Sequence, residues 1–230
     1  DPSTLANYRP ISFLLYPDKV LEKLINRRLT DHFTDHQLLD VTQSKFRPNL
    51  STDTALIAAT DDISMILDRG ATAPLILVDL STVFNTVSHP NLIRRLHDID
   101  SQGPALRWTS RTCRTQSVSL TPFSSDACNL ICELPQGSSL SPTLFNAYMI
   151  PPGSIIHTQD INVLSYADDT QLILSLSEKT PNSRNKYTAC MTEVTDWMKT
   201  NCVKLNSNKT EVVFFGKNSS PWTPPGGWLN

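Results

Sequence analysis

The sequence of 230 residues is 39% apolar and has 20 basic and 22 acidic side chains, which give a formal net charge of −2. This length and apolar content allow a sizeable hydrophobic core and argue against intrinsic disorder. No run approaches the ~18 consecutive apolar residues of a membrane span, and Asp1-Pro2-Ser3 does not resemble the start of a secretion signal. We therefore expect a soluble intracellular protein without a membrane partner.

Hydrophobic periodicity and turn residues predict the secondary structure in chain order. The expected elements are helices at about residues 18–34 and 52–67, a strand at 74–79, a helix at 90–97, a strand-like segment at 118–120, a helix at 143–149, strands at 163–166 and 170–174, a helix around 191–198 and a strand at 211–215. The run 74–79 is apolar enough to predict a fully buried strand. Helices that alternate with strands, with one hairpin, predict an α+β fold in which helices cover one face of a mixed sheet.

Several residues predict where elements begin and end. Ser141 and Pro142 are expected to be the N-cap and the first residue of a helix that Pro151-Pro152 terminates. The last residues, 218–230, are rich in Pro, Gly, Ser and Trp, which predicts a disordered tail.

Three aspartates occupy positions that favour metal binding. Asp79 ends the apolar run, and Asp168-Asp169 lie at the turn of the predicted hairpin. Two ionised carboxylates ~4 Å apart repel each other by ~4 kcal/mol in a partly buried site, so a cation is expected beside them. Mg²⁺ prefers oxygen ligands, and two ions ~3.5 to 4 Å apart would suit nucleotidyl transfer. The alternative is an ordinary polar turn, because Asp is common in turns.

Seven short segments surround these aspartates and follow one another in a fixed order. They are Asn7-Tyr-Arg-Pro-Ile-Ser12, Gln43-Ser-Lys-Phe-Arg47, Ser51-Thr-Asp-Thr-Ala-Leu56, Leu77-Val-Asp-Leu-Ser81, Pro135-Gln-Gly-Ser138, Tyr166-Ala-Asp-Asp169, and Lys204-Leu-Asn206 through Lys209-Thr-Glu211. Together they resemble the successive blocks of the reverse transcriptases of non-LTR (LINE-type) retrotransposons, in particular the Jockey-like elements of animals. Seven collinear motifs are far more specific than any one of them.

The resemblance implies a right-hand polymerase fold with an antiparallel palm sheet. The fingers would comprise residues 1–72 and 88–135, and the palm would comprise residues 73–87 and 136–217. The thumb is expected to be missing from this sequence, as is the endonuclease domain that such elements usually carry upstream.

The resemblance also assigns the three aspartates. Asp79 matches the first catalytic aspartate, and Asp168 and Asp169 match the pair in the hairpin, of which Asp168 is the stronger metal ligand. These carboxylates would hold two Mg²⁺ ions, for which Mn²⁺ could substitute.

Five further residues match nucleotide-binding positions of the family. Arg47 would grip the triphosphate, and Phe84 would exclude ribonucleotides as a steric gate, with a core phenylalanine as the alternative. Gln136 and Gly137 would lie beside the incoming nucleotide and template, where a missing side chain permits close backbone approach. Lys209 would protonate the leaving pyrophosphate, with a solvated lysine as the alternative.

The implied reaction is the addition of deoxynucleotides to a primer 3′-hydroxyl, directed by an RNA template. The partners would be an RNA template, a DNA primer and deoxynucleoside triphosphates, in the cytoplasm and nucleus. The negative net charge is unexpected for such a protein, so its basic surface must be local. The candidate clusters, each of which could instead be a solvated helix face, are Lys19, Lys23, Arg27 and Arg28; Arg107, Arg111 and Arg114; and Lys199, Lys204, Lys209 and Lys217.

Several positions depart from the family pattern. Asn85 replaces an aspartate, and Lys45 and Glu133 each replace a glycine. None of these departures touches the three aspartates. They nevertheless keep open a second hypothesis, a catalytically inactive remnant with at most weak RNA binding.

Overall fold

The structure is a computed structural model that describes residues 11–39, 42–45, 50–81, 83–99, 115–120, 122–159, 161–176 and 183–216. Some predictions lie outside these residues: the triphosphate contact of Arg47, the basic cluster of Arg107, Arg111 and Arg114, the basic side chain of Lys217, and the tail at 218–230.

The described residues form helices and short strands that alternate along the chain. The helices are α1 (Tyr16–Asp35), α2 (Thr52–Asp68), α3 (Val83–Thr86), α4 (His89–Asp98), α5 (Ser141–Tyr148), α6 (Ile150–His157) and α7 (Ser183–Thr200). The strands are β1 (Ala73–Val78), β2 (Leu80–Ser81), β3 (Thr115–Gln116), β4 (Ser119–Leu120), β5 (Phe123–Ser124), β6 (Cys128–Asn129), β7 (Asn162–Tyr166), β8 (Asp169–Ile173), β9 (Lys204–Leu205) and β10 (Glu211–Phe215). The predicted helices at 18–34, 52–67 and 90–97 and the predicted strands around the aspartates are confirmed within two residues.

The predicted boundaries around α5 were partly wrong. Ser138, and not Ser141, supplies the acceptor at the helix start, because its Oγ accepts the backbone N–H groups of Leu140 at 3.1 Å and Ser141 at 3.2 Å. The helix does end before Pro151-Pro152, but these prolines lie in the first turn of α6. Proline is tolerated there because the first turn of a helix has no intrahelical partner for its N–H groups.

The chain divides into two compact units: unit 1 comprises residues 1–38 and 84–148, and unit 2 comprises residues 39–83 and 149–230. This division groups residues 39–72 with the sheet strands, although the resemblance assigned them to the fingers. It also groups residues 136–148 with α1 and α4, although the resemblance assigned them to the palm. The boundaries of fingers and palm remain predictions.

Unit 2 contains a four-stranded antiparallel sheet in the order β10-β1-β8-β7. On one face, Ala59 and Ile66 of α2 form a buried cluster with Ala73 and Ile173. Successive side chains of a strand point to opposite faces, and Ile76, on the other face, is also fully buried. Both faces of the sheet are therefore covered, and the predicted placement of the helices on one face remains a prediction.

The prediction that the strand leading to Asp79 is fully buried was also too simple. Leu75 and Leu77 of β1 are only partly buried, while their neighbours Ile76 and Val78 are buried. Leu77 is partly exposed because it lines an open cleft at the end of the strand.

Unit 1 has α5 at its centre. Residues 143–148 are all buried, and α5 packs against α4 and α1. Two short antiparallel strand pairs, β3–β6 and, between them in the chain, β4–β5, complete the described part of this unit. Among the described residues, none of the helices combines the length and apolar character that crossing a membrane requires.

Candidate active site

Asp79 and Asp169 lie at the same end of two neighbouring strands. Val78 at the end of β1 pairs with Thr170 in β8, and one step further this register places Asp79 opposite Asp169. Residues directly opposite in an antiparallel pair project to the same face. Both aspartates accordingly line one cleft of about 460 Å³, together with Lys209 and Glu211.

The second aspartate of the hairpin lies in its turn. Tyr166 pairs with Asp169, so Ala167 and Asp168 form the two-residue connection between β7 and β8. Ala167 has φ +60°, the positive φ that the first central residue of a type II′ hairpin turn requires. The predicted hairpin with acids at its turn is confirmed, and Asp168 immediately precedes the strand that carries Asp169.

The carboxylates interact electrostatically. Partial burial raises the pKa of Asp169, and the negative charges of Asp168 and Asp79 raise it further. Lys45 opposes this shift with its positive charge. Its Nζ lies 5.1 Å from the centre of the Tyr166 ring, within cation–π range beside the hairpin.

Asn206 holds Asp79 in place through two hydrogen bonds. The pairing of β2 with β9 brings Asn206 beside Asp79, and the Asn206 backbone N–H donates to the Asp79 carbonyl at 2.9 Å. Its side-chain Nδ2 donates to Asp79 Oδ2 at 2.7 Å. Asn206 had no predicted function of its own, although its place in a collinear motif was a signal that it mattered.

The cleft offers carboxylate oxygens as ligands for a metal cofactor. Within the described ranges, no group of three or more His, Cys, Asp and Glu side chains is arranged to hold a metal ion. Asp79 and Asp169 nonetheless share a cleft, and the charges of Asp79 and Asp168 both act on Asp169. Oxygen donors that repel one another fit a hard divalent cation, which would offset that repulsion.

The structure places the other predicted site residues in two groups. Lys209 lines the cleft of Asp79 and Asp169 in unit 2, whereas Phe84, Gln136 and Gly137 belong to unit 1. Their nucleotide contacts remain predictions.

The three residues in unit 1 have defined local surroundings. Phe84 is half-buried and stacks on Phe145 with ring centres 4.7 Å apart. Gln136 Nε2 donates to Asn85 Oδ1 at 3.2 Å. Gly137 has φ +98°, a conformation that glycine adopts without the steric cost of a Cβ.

Residues 2–228 match the family model described as reverse transcriptase (RNA-dependent DNA polymerase). The chain belongs to the reverse transcriptase family. Two relatives from Drosophila melanogaster support the predicted likeness to non-LTR retrotransposons. This reverse transcriptase chain is 27% identical over 236 residues to the probable RNA-directed DNA polymerase from transposon BS, and 25% identical over 237 residues to the RNA-directed DNA polymerase from mobile element jockey.

These alignments cover 95% and 100% of the reverse transcriptase chain but 25% of each relative. The chain thus spans about a quarter of the length of the curated relatives that it matches. Reverse transcriptases as a family depend on divalent metal ions, which agrees with the donor chemistry of the cleft.

Solved telomerase structures share the fold of this reverse transcriptase. The telomerase of Candida tropicalis in complex with a TWJ fragment of telomeric RNA has a TM-score of 0.58 at 13% identity, and covers 84% of this chain and 33% of that chain. The apo telomerase of the same organism has a TM-score of 0.56 at 12% identity, and covers 87% of this chain and 37% of that chain.

Proposed function

We propose that this chain catalyses RNA-directed DNA synthesis, the addition of deoxynucleotides to the 3′-hydroxyl of a primer on an RNA template. The observation that carries the proposal is the register of β1 and β8, which sets Asp79 opposite Asp169 with Asp168 in the adjoining turn. Family membership supports the reaction type, since both relatives are RNA-directed DNA polymerases by name.

Asp79, Asp168 and Asp169 would hold two Mg²⁺ ions, with Mn²⁺ as a possible substitute. Bound ions of this kind activate an attacking hydroxyl and stabilise the leaving pyrophosphate. Asn206 would fix the orientation of Asp79 through its 2.7 Å hydrogen bond to Oδ2. Lys209, in the same cleft, is the cation that would donate a proton to the leaving pyrophosphate.

Residues outside the aspartate cleft would select the nucleotide. Arg47 would bind the triphosphate, for which a bidentate guanidinium is suited. Phe84 would act as the steric gate against ribonucleotides, and Gln136 and Gly137 would contact the nucleotide and template. The positive φ of Gly137 supports this part of the proposal to the extent that it explains why glycine stands in this loop, since a residue with a Cβ would be strained in that conformation.

The proposed partners are an RNA template, a DNA primer and deoxynucleoside triphosphates, encountered in the cytoplasm and nucleus. The basic cluster on α1 supports nucleic-acid binding, because all four of its side chains are exposed. They are Lys19, Lys23, Arg27 and Arg28.

Primer extension on an RNA template tests the proposal with the purified 230-residue chain. We expect Mg²⁺-dependent products from the wild type, and losses of about 10²-fold or more in Asp79→Asn and Asp168→Asn, because each removes a charged metal ligand. Asp169→Asn should cause the smallest loss of activity of the three Asp→Asn variants, because the resemblance gives Asp169 a supporting role in metal binding. Asp61→Asn, the same change at an exposed position of α2, is the matched control and should retain full activity. The proposal fails if neither Mg²⁺ nor Mn²⁺ yields products, or if Asp168→Asn matches the wild type.

A catalytically inactive remnant with weak RNA binding is the second candidate function. Glu133, which stands where the family has glycine, favours it because its backbone has φ +98°. A side chain in that region stores strain beside the Pro135–Ser138 loop. RNA binding by the wild type without any primer extension would support this second candidate.

A further inference from the structure

Residues 42–45 run beside the aspartate hairpin and bond to its first strand. Gln43 forms a parallel bridge with Ser165 of β7. The backbone N–H of Ser44 donates to the Ser165 carbonyl at 2.8 Å, and the Ser165 N–H donates to the Thr42 carbonyl at 3.0 Å. This short segment therefore has a fixed register against the hairpin.

The side chain of Gln43 pairs with the turn itself. Its Oε1 accepts the backbone N–H of Ala167 at 2.9 Å, and its Nε2 donates to the Ala167 carbonyl at 3.2 Å. Oε1 also accepts the backbone N–H of Lys45 at 3.2 Å, which fixes the amide orientation. One side-chain amide thus satisfies both backbone groups of the residue that directly precedes Asp168.

Ala167 needs this support for two reasons. It is buried, with 5% of its surface exposed, so its N–H and carbonyl require partners inside the protein. It also has φ +60°, a left-handed conformation that alanine rarely adopts. Rotation of the Ala167 backbone would relax this conformation and would swing both following carboxylates.

We infer that Gln43 is a positioning residue that holds Asp168 and Asp169 at the metal site by clamping the backbone of Ala167. The inference rests on the proposed function. Gln43 is itself buried, with 6% of its surface exposed. Glutamine suits the position because it offers one donor and one acceptor at the same distance from the backbone. Methionine is similar in length but has neither strong group, and ionised glutamate lacks the donor.

Gln43→Met, made in the full 230-residue chain, tests the clamp with two measurements. Residue-resolved hydrogen exchange should show a loss of about tenfold or more in the protection of the Ala167 amide, because its acceptor is gone. The Mg²⁺ concentration for half-maximal primer extension should rise by about tenfold, while the amide of Ile76 in β1 keeps its protection. Gln159→Met, the same change just after the end of α6, is the matched control and should leave both measurements unchanged.

Gln43→Glu provides a readout that a purely structural residue would not give. A protonated carboxyl can accept from the Ala167 N–H and donate to its carbonyl, as the amide does, whereas the ionised form cannot donate. The ratio of Gln43→Glu to wild-type activity should therefore rise severalfold as the pH falls from about 8 to about 6, since burial and the charges of Asp168 and Asp169 favour the protonated carboxyl against the opposing charge of Lys45.

Two results would overturn the inference. Unchanged Ala167 protection in Gln43→Met would show that the clamp is not formed. A loss of protection with an unchanged Mg²⁺ requirement would show that the clamp does not position the aspartates. A wild-type chain without polymerase activity would instead contradict the proposed function. Tb³⁺ luminescence titration of the wild type and Gln43→Met would then test the inference on its own. Equal Tb³⁺ affinities would overturn it, and a weaker affinity in the variant would support it.

Discussion

Ionisation of Asp169 is unfavourable, because partial burial and the charges of Asp168 and Asp79 raise its pKa. Between the ordinary pKa of an aspartate and this raised value, the folded chain binds more protons than the unfolded chain. The free energy of unfolding therefore falls as the pH rises through that window. At neutral pH, without divalent ions, the carboxylate remains a destabilising group.

Asp169→Asn should therefore raise the free energy of unfolding at pH 7 in metal-free buffer. Added Mg²⁺ should reverse the order, because a cation that binds only the folded state stabilises the wild type and not a variant without this carboxylate. Urea denaturation with and without Mg²⁺ measures both effects. A variant that is less stable than the wild type in metal-free buffer would contradict the electrostatic argument.

Glu133 offers a second test at the residue scale. Its φ of +98° is a conformation that favours glycine, and burial raises the pKa of its carboxyl against the opposing effects of Gln116 and His89. Glu133→Gly should exceed Glu133→Ala in unfolding free energy by about 1 kcal/mol, because alanine retains the Cβ that causes the strain. Both variants remove the carboxylate, so chemical denaturation of the pair isolates the backbone effect. Equal stability of the two variants would refute the strain.

The aspartates could be predicted from sequence, but the hydrogen bonds that support them could not. Asp79 ends an apolar strand and Asp168-Asp169 lie in a hairpin turn, and both are local patterns. Gln43 and Asn206 act through hydrogen bonds between positions 124 and 127 residues apart in the chain. Such bonds depend on the tertiary fold, and local patterning carries no information about them.

At the scale of elements, a buried carboxylate connects α1 to the loop that precedes α5. Glu22 is 2% exposed, and its Oε2 accepts the Ser138 hydroxyl at 2.8 Å and the Ser139 backbone N–H at 3.2 Å. One turn along α1, Asn26 Oδ1 accepts the Thr143 hydroxyl. These bonds anchor the segment that carries Gln136 and Gly137.

Glu22→Leu should destabilise unit 1 by about 1 to 3 kcal/mol, because it leaves the buried Ser138 hydroxyl and the partly buried Ser139 N–H without an acceptor. Glu22→Gln keeps one side-chain oxygen and should cost less. Urea denaturation of both variants, together with Ser138→Ala and the Glu22→Leu/Ser138→Ala double variant, measures the coupling. Additive effects in that cycle would show that Glu22 and Ser138 do not interact.

The elements themselves were largely predictable, with informative exceptions. Helical periodicity located α1 because its apolar residues recur at regular spacing, and β1 was located by its continuous apolar run. The start of α5 was misplaced because both Ser138 and Ser141 are possible caps, and only tertiary packing distinguishes them. α6 was missed because Pro151-Pro152 can end one helix or begin the next.

For the whole molecule, a net charge of −2 makes nucleic-acid binding depend on local basic surfaces. Lys23 and Arg27 are exposed and one turn apart on α1. Replacing both with Gln should weaken the binding of an RNA–DNA duplex. The plot of log association constant against log salt concentration should become less steep, by about one unit of slope for each phosphate that the variant no longer neutralises.

The control for this prediction replaces two exposed basic residues elsewhere with Gln: Arg69, directly after α2, and Lys186, on α7. Both double variants change the formal charge from −2 to −4 by removing two positive charges. Binding isotherms at several salt concentrations should separate them. Equal weakening in the two variants would mean that net charge alone, and not the α1 cluster, governs binding.

The grouping into units was the least predictable level. Residues 39–72 were assigned to the fingers by resemblance, and that assignment remains a prediction. In the structure, α2 packs on β1, β7 and β8 and lies in the same compact unit as the sheet. Which face an amphipathic helix covers depends on long-range packing, and helical periodicity alone does not specify the partner.

Direct pairing of β1 with β8 makes the spacing of Asp79 and Asp169 independent of the chain between them. That intervening chain includes residues 84–148, which belong to unit 1. Because strand-to-strand hydrogen bonds set the register, insertions or deletions in the intervening stretch would leave the two carboxylates opposite each other. The lineage of such a chain could therefore vary its loops widely while inheriting the same pair of aspartates.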